Sequence, residues 1–248
     1  MNFSQLGFGF FVLRINGLLL ALIFCLVAVW YYKKLQEENL DIDFFVHHLW
    51  RWVLSGILVG RILSLIFEPS IFETYGWYSF FAFWEDGINF FGLFWGFIGF
   101  MFYDLKKHQK DPLKWFDILV TPLLIGICLS DLSAFLTGAV YGTETDLPWG
   151  IQYETFGVDT IAPVHPVTIY AFIIHFLLLN WVLRYGKNFY RQHGKLALIT
   201  ITLYFFAEFF LEFFVGNPTL VILDSIKIGQ LFSLLTVTLL TIYLRKKS

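Results

Sequence analysis

The sequence predicts an all-α protein that crosses a membrane seven times, with its N-terminus outside and its C-terminus in the cytoplasm. Three observations carry this. First, the 248 residues are 58% hydrophobic and 21% aromatic but only 15% charged, with a mean hydropathy of +0.68. A soluble domain is about a quarter charged. Second, seven apolar runs approach the roughly 20 residues that a spanning helix needs. Third, fourteen of the 17 Lys and Arg fall in alternate connections and the C-terminal tail, and the positive-inside rule places those segments in the cytoplasm. A formal charge of -2 leaves no basic footprint for nucleic acid.

The predicted spans lie near residues 11–32, 46–67, 88–104, 116–138, 166–184, 196–215 and 226–244. The first is about twice the length of a signal-peptide core and lacks a small-residue cleavage site before Tyr31–Lys34, so it is expected to be a retained helix. The third is the shortest. Its Gly87, Gly92, Gly96 and Gly99 read as a small face that lets a neighbouring helix approach closely. Cys25 and Cys128 each fall inside a span and read as small buried hydrophobes rather than as a disulfide or a nucleophile. No linker, low-complexity tract or internal repeat divides residues 1–248, so a single integral-membrane domain is expected.

Between Lys114 and Arg184 there is no cation. The stretch "TGAVYGTETDLPWGIQYETFGVDTIAPVHPVTIY" at 137–170 is therefore expected outside, running into the fifth span. Asp146-Leu147-Pro148-Trp149-Gly150 is turn chemistry, with Trp149 available as an interfacial anchor. The other long outside connection, 68–87, is rich in Trp, Tyr and Phe and suits headgroup level.

Ionisable groups inside a bilayer are expensive and default to functional readings. Arg14, Arg61, Asp131, His165, Glu208, Glu212 and Lys227 all fall in the outward half or at the outward end of a predicted span. His175 and Glu68 are further ionisables at or within spans, without an evident role. Tyr204, Glu208 and Glu212 repeat at four-residue spacing and so share one helix face. The common depth suggests a hydrophilic cavity opening outward, with Arg14, Arg61 or Lys227 near the two glutamates. The alternative is a set of structural ion pairs that fix helix register.

The residues also resemble a known family, the phosphatidylglycerol–prolipoprotein diacylglyceryl transferases. "LRINGLLLAL" at 13–22, "GRILSLIFE" at 60–68 and "FFGLFWGFIGF" at 90–100 are similar to its first three spans. "FLTGAVYGTETDLPWGIQY" at 135–153 resembles its central signature, "HPVTIY" at 165–170 its His-Pro segment, and "LYFFAEFFLEFF" at 203–214 with "IGQLFSLL" at 228–235 its last two spans. The resemblance implies a bacterial plasma-membrane enzyme that needs no cofactor. It would take phosphatidylglycerol and the lipobox cysteine of a prolipoprotein signal peptide as substrates. On this reading His165, Glu212 and Tyr204 serve catalysis, while Arg14, Arg61, Asp131, Gly138, Gly142, Tyr170, Glu208 and Lys227 line the substrate site.

The chain departs from the family pattern at defined places. The family's third-span His falls on Phe91, its span-four Arg on Asp131, the following Asn on Ala134 and the signature Glu on Ala139. Its span-six Arg falls on Glu208 and its first-span Tyr on Asn16. Two further readings follow: a family member that binds lipid or signal peptide without transfer, and a carboxylate-based transporter.

Overall fold

The protein is described from a computed structural model covering residues 5–8, 11–67, 76–81, 88–153, 160–189, 192–216, 221–222 and 226–247. Seven long helices dominate: α1 (Ile15–Glu37), α2 (Ile42–Phe67), α3 (Phe90–Lys107), α4 (Pro112–Thr137), α5 (Val167–Tyr185), α6 (Lys195–Leu211) and α7 (Ile228–Lys247). Two small antiparallel hairpins accompany them, β1 (Gln5–Phe8) with β2 (Phe11–Arg14) and β3 (Val221–Ile222) with β4 (Ile226–Lys227). The first span thus begins at Ile15, and residues 11–14, expected to be helical, form a strand. Glu68, Gly87 and most of the 68–87 connection lie outside the described residues.

Six of the seven helices are long and apolar enough to cross a membrane. The sixth of them by chain order, α7, reaches this over Ile228–Arg245, and α1 is the most apolar, with a hydropathy of 2.1. Leu18, Leu20, Leu22, Phe24, Leu26 and Val29 of α1 all face outward. A helix apolar on every face, with large side chains unburied, requires lipid around it. The protein is a multi-pass membrane protein. The exception is α3, whose last turn carries Asp104, Lys106 and Lys107. Its apolar part, Phe90 to Tyr103, is about 21 Å long, short of the roughly 30 Å hydrocarbon core.

Helix boundaries follow local chemistry. In α4, Asp111 accepts from the Leu113 N–H with Pro112 directly behind it, and Gly138 closes the helix at φ 67°. That left-handed conformation is open to glycine at no steric cost. α6 starts by a longer route: the buried Asp117 of α4 accepts from the Gly194 and Ala197 N–H groups at 2.7 and 2.8 Å. One carboxylate therefore caps α6 and pins it to α4.

α4 lies at the centre, packed against α1, α5 and α6, while α2 and α3 form the most extensive pair. The glycine face expected in α3 is real at two of its positions. A Cβ on Gly92 would fall 2.7 Å from the Gly60 Cα, and one on Gly96 2.9 Å from the Ser55 carbonyl. Ser55 also donates to the Gly96 carbonyl at 2.7 Å. Gly99 meets nothing within 4 Å and has no part in this contact. Among the described residues the core falls into two large clusters and a small one of Val167, Ala171 and Leu211. One large cluster joins Phe91, Leu124, Leu178 and Phe205. The other, toward the lysine-rich turns, joins Tyr31, Trp52, Leu105 and Trp115. Cys128 is buried in the first, as expected; Cys25 is exposed on α1, which corrects the expectation that both were buried. An apolar thiol side chain facing lipid costs little.

Two buried carboxylates also correct the reading that intramembrane charge gathers at one depth. Asp104 and Asp117 are 3% exposed, and both sit toward the basic ends of their helices. Each is tolerated because its oxygens are used, Asp117 by two backbone N–H groups and Asp104 by the Trp52 indole at 2.9 Å.

Candidate active site

Two polar assemblies lie between the cores and the Gly138–His165 connection. The first centres on His175 of α5, which is fully buried. Its Nδ1 stands 2.8 Å from Asp131 Oδ2 on α4, and its Nε2 is 3.3 Å from Glu208 Oε1 on α6. The first is a hydrogen bond; the second is an ion-pair contact without hydrogen-bond alignment. Tyr204, one turn before Glu208, stacks its ring on the imidazole at 4.9 Å. Three helices thus deliver Asp131, His175 and the Tyr204/Glu208 face to one point. The carboxylates keep some exposure, 16% and 24% at the side chain, against 1% for His175.

The second assembly is built by the connection after α4. Gly138 turns the chain, and the segment from Tyr141 then folds back as a cap. Ile151 and Val164 exchange backbone hydrogen bonds, Thr145 N–H donates to the Pro163 carbonyl, and Thr143 N–H to the Phe214 carbonyl. Gly216 N–H returns to the Tyr141 carbonyl at 2.8 Å. This threads the cap onto the end of α6. Gly142 is needed here, because a Cβ would collide with the carbonyl and Cβ of His165. The cap holds His165 by its own N–H to the Thr143 carbonyl. Its ring meets Phe214 edge-on at 5.2 Å, and its Nδ1 lies 3.4 Å from the Tyr170 hydroxyl. Tyr170 in turn accepts from the Trp149 indole at 2.8 Å. Trp149, Leu147 and Ile161 remain exposed on the cap, an amphipathic set suited to headgroup depth.

Lys227 and Glu212 form the seam between these assemblies. The Lys227 Nζ donates to the Glu212, Phe213 and Val215 carbonyls, the open carbonyl end of α6, where a cation complements the helix dipole. Burial pulls its ammonium below the usual lysine range, opposed by the Glu212 carboxylate. The Glu212 carboxylate itself rests on Gly229, and a Cβ there would force it to move.

The sequence-derived residues therefore separate into groups. Asp131, Tyr204 and Glu208 meet around His175. His165, Tyr170 and Gly142 meet in the cap, and Glu212 meets Lys227. Gly138 acts as the helix terminator. Arg61 is 1% exposed within α2, on the turn beside the Gly60–Gly92 contact. Arg14 ends strand β2 immediately before α1; its side chain lies outside the description. His175 is the residue to which sequence reading assigned no role. Nothing at i±3 or i±4 on α5 is acidic, and its two partners come from other helices. Phe91 stacks between Phe232 at 4.9 Å and Phe205 at 6.1 Å. Asn16 accepts from Ser133 at 2.9 Å.

The profile of the family described as prolipoprotein diacylglyceryl transferase matches residues 4–245. The chain belongs to that family. A phosphatidylglycerol–prolipoprotein diacylglyceryl transferase from Ehrlichia canis (strain Jake) is 28% identical over 244 residues, 94% of this chain and 92% of the relative. The same-named protein of Campylobacter lari is 26% identical over 266 aligned positions, 99% and 95% of the two chains. Within a chain of that family, Asp131 and Glu208 are the positions at which the resemblance implied cations, and the structure places both on His175. The buried imidazole lies between the two acids.

Proposed function

We propose that this protein moves a diacylglyceryl group from phosphatidylglycerol to the lipobox cysteine thiol of a prolipoprotein, at the outer face of a bacterial plasma membrane. The observation that carries this is the family match over nearly the whole chain, 4–245. In the reaction the thiol gives its proton to a base and its sulfur attacks the glyceryl carbon that bears the phosphate. A C–S bond forms, the C–O bond to phosphate breaks, and glycerol phosphate leaves with the electron pair. His165 is the assigned base, oriented through Nδ1 by Tyr170, which Trp149 holds. Arg61 and Arg14 are assigned to the leaving phosphate, where guanidinium forks suit the oxyanion. Lys227, engaged on three carbonyls, and Glu212 are assigned to holding the end of α6 under the cap. Asp131 and Glu208 would repel an anionic headgroup if bare; His175 between them offsets that charge. A narrow apolar crevice of about 30 Å³, lined by Phe94, Leu119, Leu123, Ile201 and Tyr204, lies beside this cluster.

The test is a lipidation assay in phosphatidylglycerol-containing proteoliposomes with a lipobox peptide. Diacylglyceryl thioether product and free glycerol phosphate are expected in equal amounts. Lipid or peptide binding without product would instead select the non-catalytic reading.

Orientation has its own check. In a background with Cys25 and Cys128 changed to serine, Asp146→Cys is expected to react with an impermeant maleimide added outside intact cells. Lys107→Cys should react only after permeabilisation. Reaction of both from outside would reverse the assigned topology.

A further inference from the structure

We propose that His48, Asp104 and His108 form a divalent-metal site that clips α2 to α3 at the lysine-rich end of the bundle, away from the His175 and His165 assemblies. One ligand atom from each of the three lies within 4.8 Å of the other two. Ligands about 2.1 Å from a tetrahedral Zn²⁺ stand about 3.4 Å apart. Closure therefore needs the side chains to move together and the histidine rings to turn. His108 is exposed and His48 half-buried, so both rings have room to turn.

Three observations favour a ligating set over a chance meeting of polar side chains. Each histidine places Nδ1 on a backbone carbonyl, His48 on Phe44 at 2.9 Å and His108 on Asp104 at 2.8 Å. A carbonyl only accepts, so in each neutral ring Nδ1 carries the hydrogen and Nε2 is bare; at His108 it is Nδ1 that faces Asp104 Oδ1, at 3.4 Å, so ligation through Nε2 requires that exposed ring to turn. A backbone carbonyl on the non-ligating nitrogen is the common outer support of metal-bound histidine. Second, Asp104 is fixed rather than mobile. It is 3% exposed, and Oδ2 accepts from the buried Trp52 indole, with Oδ1 turned toward His108. Third, the rings are positioned by packing. Phe44 stacks on His48 at 3.9 Å and meets His108 edge-on at 5.1 Å.

The charge balance is compatible with a cation. One carboxylate and two neutral imidazoles would leave a bound dication net +1. The neighbouring Lys110 is already paired with Asp41 at 2.7 Å. Two nitrogens and one carboxylate oxygen, with a coordination position left for water, suit Zn²⁺ or Co²⁺ rather than Mg²⁺ or Ca²⁺. Because His48 comes from the start of α2 and Asp104 and His108 from the end of α3, the metal would tie the two helices opposite their glycine contact.

The test uses the full chain in detergent, purified on a histidine-free tag and stripped with a chelator. One equivalent of Zn²⁺ is expected to remain after desalting. Co²⁺ should give the visible absorption of a four- or five-coordinate N/O site. His48→Gln and His108→Gln should each weaken Zn²⁺ binding by at least about tenfold, and Zn²⁺ should raise the melting temperature of the parent but not of the variants. His47→Ala is the control. Its Nδ1 also bonds a backbone carbonyl, at 2.7 Å to Asp43, but it is outside the cluster and its loss should change nothing. Asp104→Asn keeps an acceptor for Trp52 while removing the ligand charge, so folded Asp104→Asn protein should bind weakly. Absence of stoichiometric Zn²⁺, or binding unchanged in the two glutamine variants, would overturn the site.

Discussion

Replacing His175 by leucine is expected to destabilise the detergent-solubilised protein by about 3 kcal/mol, toward the lower end of what breaking a buried ion pair costs. The substitution roughly conserves volume, so the loss is electrostatic. It leaves Asp131 and Glu208 facing each other across an apolar side chain, with no imidazole between them. The lower end applies because both carboxylates keep partial exposure, 16% and 24%. The compensating variant decides the cause. Asp131→Asn with Glu208→Gln removes both charges, and in that background His175→Leu should cost much less. Denaturant unfolding of the three proteins gives the coupling. If the costs simply add, the cluster is a packing feature and its charges are immaterial.

His165→Ala should lower the lipidation rate by roughly 10²- to 10⁴-fold, the usual contribution of a positioned base, while phosphatidylglycerol binding stays unchanged. Binding is spared because the base acts on the thiol and not on the headgroup. Tyr170→Phe removes the hydroxyl that orients Nδ1 and should produce a smaller loss of rate that preserves the fold. Kinetics across a range of lipid concentrations separate the two effects. An His165→Ala enzyme with normal turnover would move the base elsewhere, to Glu212 or to the His175 cluster. A rise in the lipid concentration needed for half-maximal rate, with turnover intact, would make His165 a binding residue.

The two variants probe different kinds of legibility. His165 was legible as a candidate from its neighbours in the chain: a histidine followed by proline at the mouth of a predicted span, at the end of a stretch without Lys or Arg, in a block that resembles the family's His-Pro segment. Local order and ancestry are enough to nominate such a residue. His175 could not be found that way. Its neighbours on α5 are apolar, and it acquires meaning only when α4 and α6 place Asp131 and Glu208 on its two nitrogens.

The same division runs through the fold. The approximate limits of six spanning helices follow from hydropathy, because a bilayer constrains each segment independently; the third predicted span forms a helix whose apolar part is too short to count among them. Gly92 and Gly96 were legible as a small face, although Gly99 carries the same signal and packs against nothing. Sequence by itself thus determined that this is a polytopic helical membrane protein of a recognisable family, since those properties depend on segment-wise apolarity and on motifs along the chain. The tertiary structure alone decided which charge meets which. Glu208 faces His175, Lys227 caps α6, and Asp104 gathers His48 and His108. The physical reason is that short-range electrostatics depend on helix rotation and approach, which apolar helices in lipid leave almost unmarked in their sequences.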